Sequence, residues 1–278
     1  MGKPGSDRKP DGRGMAIKLR GIGGASLLSL VPGGADLPGV RVGEQDFLLT
    51  NYPVFFGKNV ADYSRFMNIL KPTRSRWQGV LKLGQLFTFI VLGGRWHQLG
   101  IFVRQALRRT DSPLHESYFS MTPYLMGEDT VVRYVATPSP GSVGVGANAL
   151  APSRSPSFLR EAMVAELESE GGRDGDHSFA AAFDFAAQVR HTPTPEDVED
   201  ASRAWADIRD VTVPLARIEI PWQVFTGAEC QFDCENLSFN PWHSLPQHRP
   251  LGGLNRMRLA VYLASAQLRH RLNMLDAI

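Results

Sequence analysis

Leu237-Ser-Phe-Asn-Pro-Trp-His-Ser-Leu-Pro-Gln-His-Arg-Pro-Leu-Gly-Gly-Leu-Asn-Arg-Met-Arg258, running on into Leu259-Ala-Val-Tyr262 and Leu268-Arg-His-Arg-Leu-Asn273, is the stretch on which the reading of the fold turns. Its first half is dense in Pro, Trp, His and Gly and reads as ordered irregular chain; its second half reads as a helix. Arg258 and Tyr262 are four residues apart and share a helix face. Arg269 follows Arg258 by eleven residues, about three turns, and returns to that face. Cations beside a phenol favour the phenolate. A phenolate is a hard ligand for ferric iron, haem iron included. Taken alone, Arg-x-x-x-Tyr is equally at home on a surface helix with scattered charges, so the rest of the chain has to decide.

At 278 residues the chain is long enough to bury one sizeable core. Its 43% hydrophobic and 21% charged content is ordinary for a soluble globular protein. A formal net charge of +2 is too small to argue for nucleic acid or an anionic membrane, and no nucleic-acid partner is expected. Nothing in the first residues resembles a signal peptide, and Cys230 and Cys234 set up no disulfide framework, so a reducing cytoplasm is expected. No second ligand pair follows Cys-x-x-x-Cys at metal-site spacing, and both cysteines are read as structural.

Local patterns lay out the rest. Gly14–Arg20 alternates Met15, Ile17 and Leu19 against Ala16, Lys18 and Arg20, as a strand does. Residues 21–43 read as loop. A second strand is expected over Asp46–Asn51, then a helix over Val60–Leu70 capped by Asn59. The apolar region Ser75–Arg109 has a longest uncharged run of only 12 residues, Leu83–Gly94, too short to span a bilayer; two core helices broken near Gly93-Gly94 are expected, with a lid over a lipophilic pocket as second reading. Tyr118–Tyr124 and Thr130–Val135 flank Met126–Asp129 as a hairpin. Then follow a loop over Ser139–Pro156, a helix over Phe158–Glu168 capped by Ser157 and a strand over Ser178–Val189. An acidic helix over Pro195–Ile208 and a strand over Val211–Phe225 complete the pattern. Strands, a helical insertion, more strands and a terminal helix make an α+β chain with a closed or nearly closed antiparallel sheet and helices grouped outside. No dinucleotide-binding or Walker-type glycine loop sits between a strand and a helix.

Three blocks, in order, resemble the catalase superfamily: Gly14-Met-Ala-Ile-Lys18, Asp46-Phe-Leu-Leu-Thr-Asn-Tyr-Pro-Val-Phe-Phe56 and the C-terminal stretch. The likeness is to the compact catalase-related haem proteins (catalase-like peroxidases), in which segments similar to Asn240–His243 and His248–Arg256 precede the ligand helix. It covers nearly the whole chain, most weakly over Arg74–Arg109 and Ser139–Arg209. The resemblance implies one haem-binding domain over residues 1–278, a catalase-like antiparallel β-barrel. It implies haem as cofactor and hydrogen peroxide or an organic hydroperoxide as substrate. Tyr262 takes the place of the iron ligand, Arg258 of its charge partner and Arg269 of the second proximal arginine. Tyr63 matches the aromatic over the distal haem face, or is simply a core aromatic of its helix. Thr50 and Asn51 are joint candidates for the distal polar group.

The family's distal histidine and propionate arginines lie upstream of the Gly14 block, where 13 residues remain and none is His. The chain therefore reads as an N-terminally truncated copy lacking its first strand segment, in which Arg8 or Arg13 could reach a propionate only by rearrangement. Weak or absent peroxide turnover is expected, because O–O cleavage needs a base near that oxygen. A non-catalytic haem-binding or haem-sensing protein is the alternative. His97, His115, His177 and His191 read as core or surface residues. His243 and His248 sit in the segment leading to the ligand helix, where hydrogen bonding to haem or loop backbone is a second reading beside an ordinary core or surface one, and His270 reads as surface. Oligomeric state stays open, a homo-oligomer included.

Overall fold

The structure is a computed structural model describing residues 5–8, 11–34, 41–70, 85, 88, 94–108, 110–140, 155–168, 179–190, 192–205 and 212–273. Among these residues the sheet has seven strands: β1 (Gly14–Arg20), β2 (Glu44–Thr50), β3 (Tyr118–Phe119), β4 (Tyr124–Met126), β5 (Thr130–Pro138), β6 (Ala181–Arg190) and β7 (Thr212–Ile220). All pairings are antiparallel, in the order β1-β2-β3-β5-β6-β7, with β4 beside β5. The sheet curls into a half-barrel with helices outside. Those helices are α1 (Val60–Leu70), α2 (Trp96–Leu107), α3 (Phe158–Leu167), α4 (Pro195–Glu199), α5 (Ala228–Asn236) and α6 (Gly252–Leu272).

Strand alternation decides which side chains fill the curl. Phe47 and Leu49 of β2, Val132, Tyr134 and Ala136 of β5, and Phe183, Phe185, Ala187 and Val189 of β6 make one buried cluster, joined by Met15 and Ile17 of β1 and by Ile218 and Ile220 of β7. Burial of these faces is the main force holding the curl. The opposite face of β1 and β2 is not part of that core; at its Gly14–Thr50 end it looks across a cavity toward α6.

Several elements differ from the sequence expectation, each for a physical reason. The hairpin strand expected over Tyr118–Tyr124 is split in two. Met121 takes a positive φ of 58°, and the Ser120 hydroxyl donates to the Thr122 carbonyl at 2.9 Å, so the chain turns out of the ladder at Thr122. The acidic helix stops at Glu199 rather than running to Ile208; Thr194 and Asp197 form its capping box, and a Ser202 turn on Asp200 follows. The long strand ends at Ile220. Ser157 makes no side-chain cap on α3; Asp7 Oδ2 instead accepts from the Leu159 N–H at 3.1 Å, across 152 residues of sequence. Helix α5 has no counterpart in the sequence reading: its described side chains are exposed or nearly so, and no apolar stripe marks it. Cys230 and Cys234 lie on it as exposed free thiols. His270 is buried rather than on the surface, bonded to the Asn236 carbonyl at 3.1 Å. The Asn59 cap holds: its Oδ1 accepts from the Asp62 N–H at 3.0 Å. Of the two helices expected over 75–109, the second is α2; the first, like the loop over 141–154 and His177 and His191, lies outside the described residues.

Candidate functional site

A cavity of about 380 Å³ lies between the outer face of β1–β2 and α6. In the antiparallel register Gly14 stands opposite Thr50 and Ala16 opposite Leu48, and these four share the face turned away from the core. Gly14 and Ala16 keep that floor low, which leaves room beneath the helix. Helix α6 supplies Leu254, Met257, Arg258, Val261 and Tyr262 from one side; Phe55 and Tyr63 close one end. Leu254, Met257, Arg258, Val261 recur at three- and four-residue spacing, the period of a single helix face. The lining is mostly apolar, and its volume is in the lower part of the range for small-molecule sites.

The polar end of this cavity is built with many bonds. The Arg258 guanidinium carbon lies 5.4 Å from the centre of the Tyr262 ring. Arg258 Nη1 donates to Thr122 Oγ1 at 3.0 Å and to Asn255 Oδ1 at 3.2 Å. The Thr122 hydroxyl also donates to Asn255 Oδ1, at 2.9 Å. Asn255 Nδ2 donates to the carbonyls of Pro123 and Leu251, both at 2.9 Å, and the Trp242 indole donates to the Asn255 carbonyl at 2.8 Å. Asn255 is fully buried, so this amide decides where Arg258 stands. On the far side of Arg258 the Tyr124 hydroxyl is buried without a hydrogen bond of ordinary geometry. Burial pushes the guanidinium toward losing its proton, but the neighbouring Tyr124 and Tyr262 outweigh it and hold Arg258 above its ordinary value. The cation is thus secured between two phenols.

The start of α6 is set with equal care. Gly252 has a φ of +83°, and a Cβ there would run into the Val198 carbonyl oxygen. Only glycine fits both conditions. The next residue, Gly253, donates its N–H to Glu199 Oε2 at 2.9 Å, and Arg256 pairs with the same carboxylate at 3.2 Å. An acid at the first turn suits the helix dipole.

Beneath, the irregular segment before α6 is fastened to the sheet through Asp46. Its Oδ1 meets Lys18 Nζ at 2.6 Å; its Oδ2 accepts from the Asn240 N–H at 3.0 Å and lies 3.2 Å from His243 Nδ1. His243 is fully buried, with Nε2 at 3.1 Å from the Arg41 carbonyl.

Thr50, Tyr63, Arg258 and Tyr262 are brought together on this one cavity. Thr50 already donates its hydroxyl to the Tyr52 carbonyl at 3.3 Å. Asn51 and Arg269 are elsewhere. Asn51 is buried, and its Oδ1 accepts from the Arg13 N–H at 2.9 Å; Arg269 donates to the Leu237 carbonyl at 2.6 Å and so ties the far end of α6 to the chain after α5. Arg13 itself pairs with Asp7 at 3.7 Å. No histidine lines the cavity among the described residues. Thr122 and Asn255 were not singled out by sequence; the quoted Leu-Asn-Arg-Met-Arg run contains Asn255, but only the fold brings Thr122 to it.

No protein-family model matches the chain, and no curated protein matches its sequence. Solved structures do. The chain is similar to a fungal catalase with TM-score 0.61 and 16% identity, over 95% of this chain and 49% of that one. It is similar to catalase A from Saccharomyces cerevisiae with TM-score 0.57 and 14% identity, over 96% and 62% of the two chains. A bacterial catalase gives TM-score 0.53 and 14% identity, over 83% and 45%. The fold is catalase-like, and the chain spans about half the length of the fungal catalase it matches.

Proposed function

We propose that the cavity beneath α6 holds haem and that the chain is a haem-dependent, catalase- or peroxidase-type protein for hydrogen peroxide or organic hydroperoxides. The observation that carries this reading is the pairing of Tyr262 with a fixed Arg258 at the polar end of an otherwise apolar cavity. The likeness in fold to catalases agrees with it. The residues present fit the group. A flat apolar macrocycle suits a floor of Gly14, Ala16 and Leu48, and a phenol beside a guanidinium is a donor set for ferric iron. Arg258 is the one basic residue lining the cavity among the described residues, so peripheral carboxylates would be left to solvent.

When bound, the group would supply one- and two-electron redox chemistry toward a hydroperoxide. The chain's own residues do the rest. Tyr262 would be the ligand; Arg258, held by Thr122 and Asn255, disfavours return of a proton to the phenolate oxygen. Phe55, Tyr63 and Met257, all partly buried, give the group apolar surface to pack on. On the opposite side Thr50 offers hydroxyl lone pairs but has committed its proton to the Tyr52 carbonyl. It cannot accept a proton from one peroxide oxygen and return it to the other at neutral pH, as histidine can. The resulting expectation is haem binding with slow peroxide turnover.

Titration with haem, followed by the ferric absorption spectrum, tests the binding. The intact chain is expected to give a saturable tyrosinate-type spectrum that Tyr262→Phe abolishes, while Tyr63→Phe retains it. Identical spectra for the intact chain and Tyr262→Phe would remove Tyr262 from the site. A bound spectrum with no hydroperoxide consumption would favour a haem-binding or haem-sensing role, which the absence of a histidine among the described lining residues supports.

A further inference from the structure

Behind Arg258 a line of aromatic rings leads away from the cavity. Tyr124 stands next to Arg258 and is buried. Its ring centre is 5.3 Å from that of Tyr134 on the neighbouring strand. Tyr134 is also nearly fully buried, wedged between Phe47, at 4.8 Å and edge-on, and Phe185, at 5.5 Å and stacked. The Tyr134 hydroxyl lies 3.3 Å from His248 Nδ1. His248 is half-buried, on the short turn Pro246–His248, so the line starts at the cavity and ends near solvent. That turn is pinned to β4: the Leu125 N–H donates to the Arg249 carbonyl at 2.9 Å, and the Gly127 N–H to the Gln247 carbonyl at 3.1 Å. The imidazole is therefore held in place against the phenol.

A phenol packed among aromatic rings cannot ionise where it stands. Burial pushes the Tyr134 hydroxyl well above its ordinary range, and the one titratable group adding to this is Tyr124. Removing an electron from such a ring makes its hydroxyl strongly acidic, so oxidation goes forward only if an acceptor already touches the proton. Burial lowers His248 below its ordinary value, which keeps its ring neutral and a lone pair free at neutral pH. With its own proton on Nε2, His248 Nδ1 is an acceptor within hydrogen-bond reach.

We propose that Tyr134 and His248 form a redox-active phenol–imidazole pair that relays single electrons between the cavity and a small phenolic reductant at the surface. In each step Tyr134 gives one electron, through the Tyr124 ring, toward the cavity and gives its hydroxyl proton to His248 Nδ1. A neutral tyrosyl radical and an imidazolium remain. One electron from the reductant and the proton returning from His248 restore the pair, and the reductant leaves as a phenoxyl radical after losing its own proton to water. Reduction of one hydroperoxide to alcohol and water takes two electrons, so the relay runs twice, and the two protons it also takes are drawn from water, replacing the two that the reductant releases there. The link to the cavity rests on the haem reading above; the pair itself does not.

The test uses the full chain without haem and an external one-electron oxidant, ruthenium(III) tris(bipyridine) generated by a flash, with electron paramagnetic resonance of freeze-trapped samples. The intact chain is expected to give a tyrosyl signal that Tyr134→Phe eliminates; this substitution keeps the ring and its packing. His248→Leu is expected to slow radical formation by about a hundredfold, the scale of one positioned proton acceptor. An unchanged signal in Tyr134→Phe, or an unchanged rate in His248→Leu, would overturn the proposal. Failure to bind haem in the separate spectral titration would overturn the haem reading and the link to the cavity, and would leave these signals as they are.

Discussion

The two ends of the sheet are held by opposite means. At the β1–β2 end, Lys18, Glu44, Asp46 and His243 are buried together, with Lys18 3.4 Å from Glu44 and 2.6 Å from Asp46. At the β7 end, Val213 and Leu215 are exposed, and attachment to the core comes from Ile218 and Ile220. Apolar packing is forgiving about angle and register, whereas a buried carboxylate with three partners, Lys18, Asn240 and His243, is not. The end that carries the cavity is the end that fixes position. The other end only has to avoid pairing with a stray strand. Pro214 and the extra residue Leu215, where the register slips from Ala216 to Pro214, do that.

Substitutions can break this contrast. The largest effect is expected for Asp46→Ala, which leaves the Asn240 N–H and His243 without their carboxylate and Lys18 with Glu44 alone, and should cost about 3–5 kcal/mol in urea unfolding. A loss of only about 0.5 kcal/mol, the surface level, would make the two ends equivalent. A smaller effect is expected for Asn255→Ala. It leaves Thr122 and two carbonyls short of a partner, costs about 1–3 kcal/mol, and frees Arg258 to move. Haem affinity should fall in that variant beyond what the stability loss explains; unchanged affinity would show that Arg258 needs no anchor. The smallest belongs to the far edge: Val213→Thr should stay within about 0.5 kcal/mol. A larger loss there would mean that the β7 face is covered in the working protein.

Much of this was readable from local pattern. Strand β1, helix α1 and the Asn59 cap follow from alternation and from a side chain three residues from its partner. So did the grouping of Arg258 with Tyr262, because helix spacing alone puts them together. What escaped depends on partners far along the chain. Thr122 matters because Met121 turns the backbone out of the ladder. Asp46 sits in a strand whose spacing gives no hint that its carboxylate is buried. His270 looked polar and is inside, because Asn236 and Ser238 wait for it. Helix α5 was missed because an exposed helix writes no apolar stripe.

The cap that Asp7 places on α3 has a kinetic side. A local cap forms as soon as its helix does, but this one waits for two segments 152 residues apart in sequence to meet. The Asp7 N–H, bonded to the Pro156 carbonyl at 2.7 Å, closes the same loop. Bringing such distant segments together is slow in entropy terms, so the first turn of α3 should be among the last parts to stop fraying during refolding. The amide of Leu159 is then a clock hand for the moment at which the beginning of the chain takes its seat.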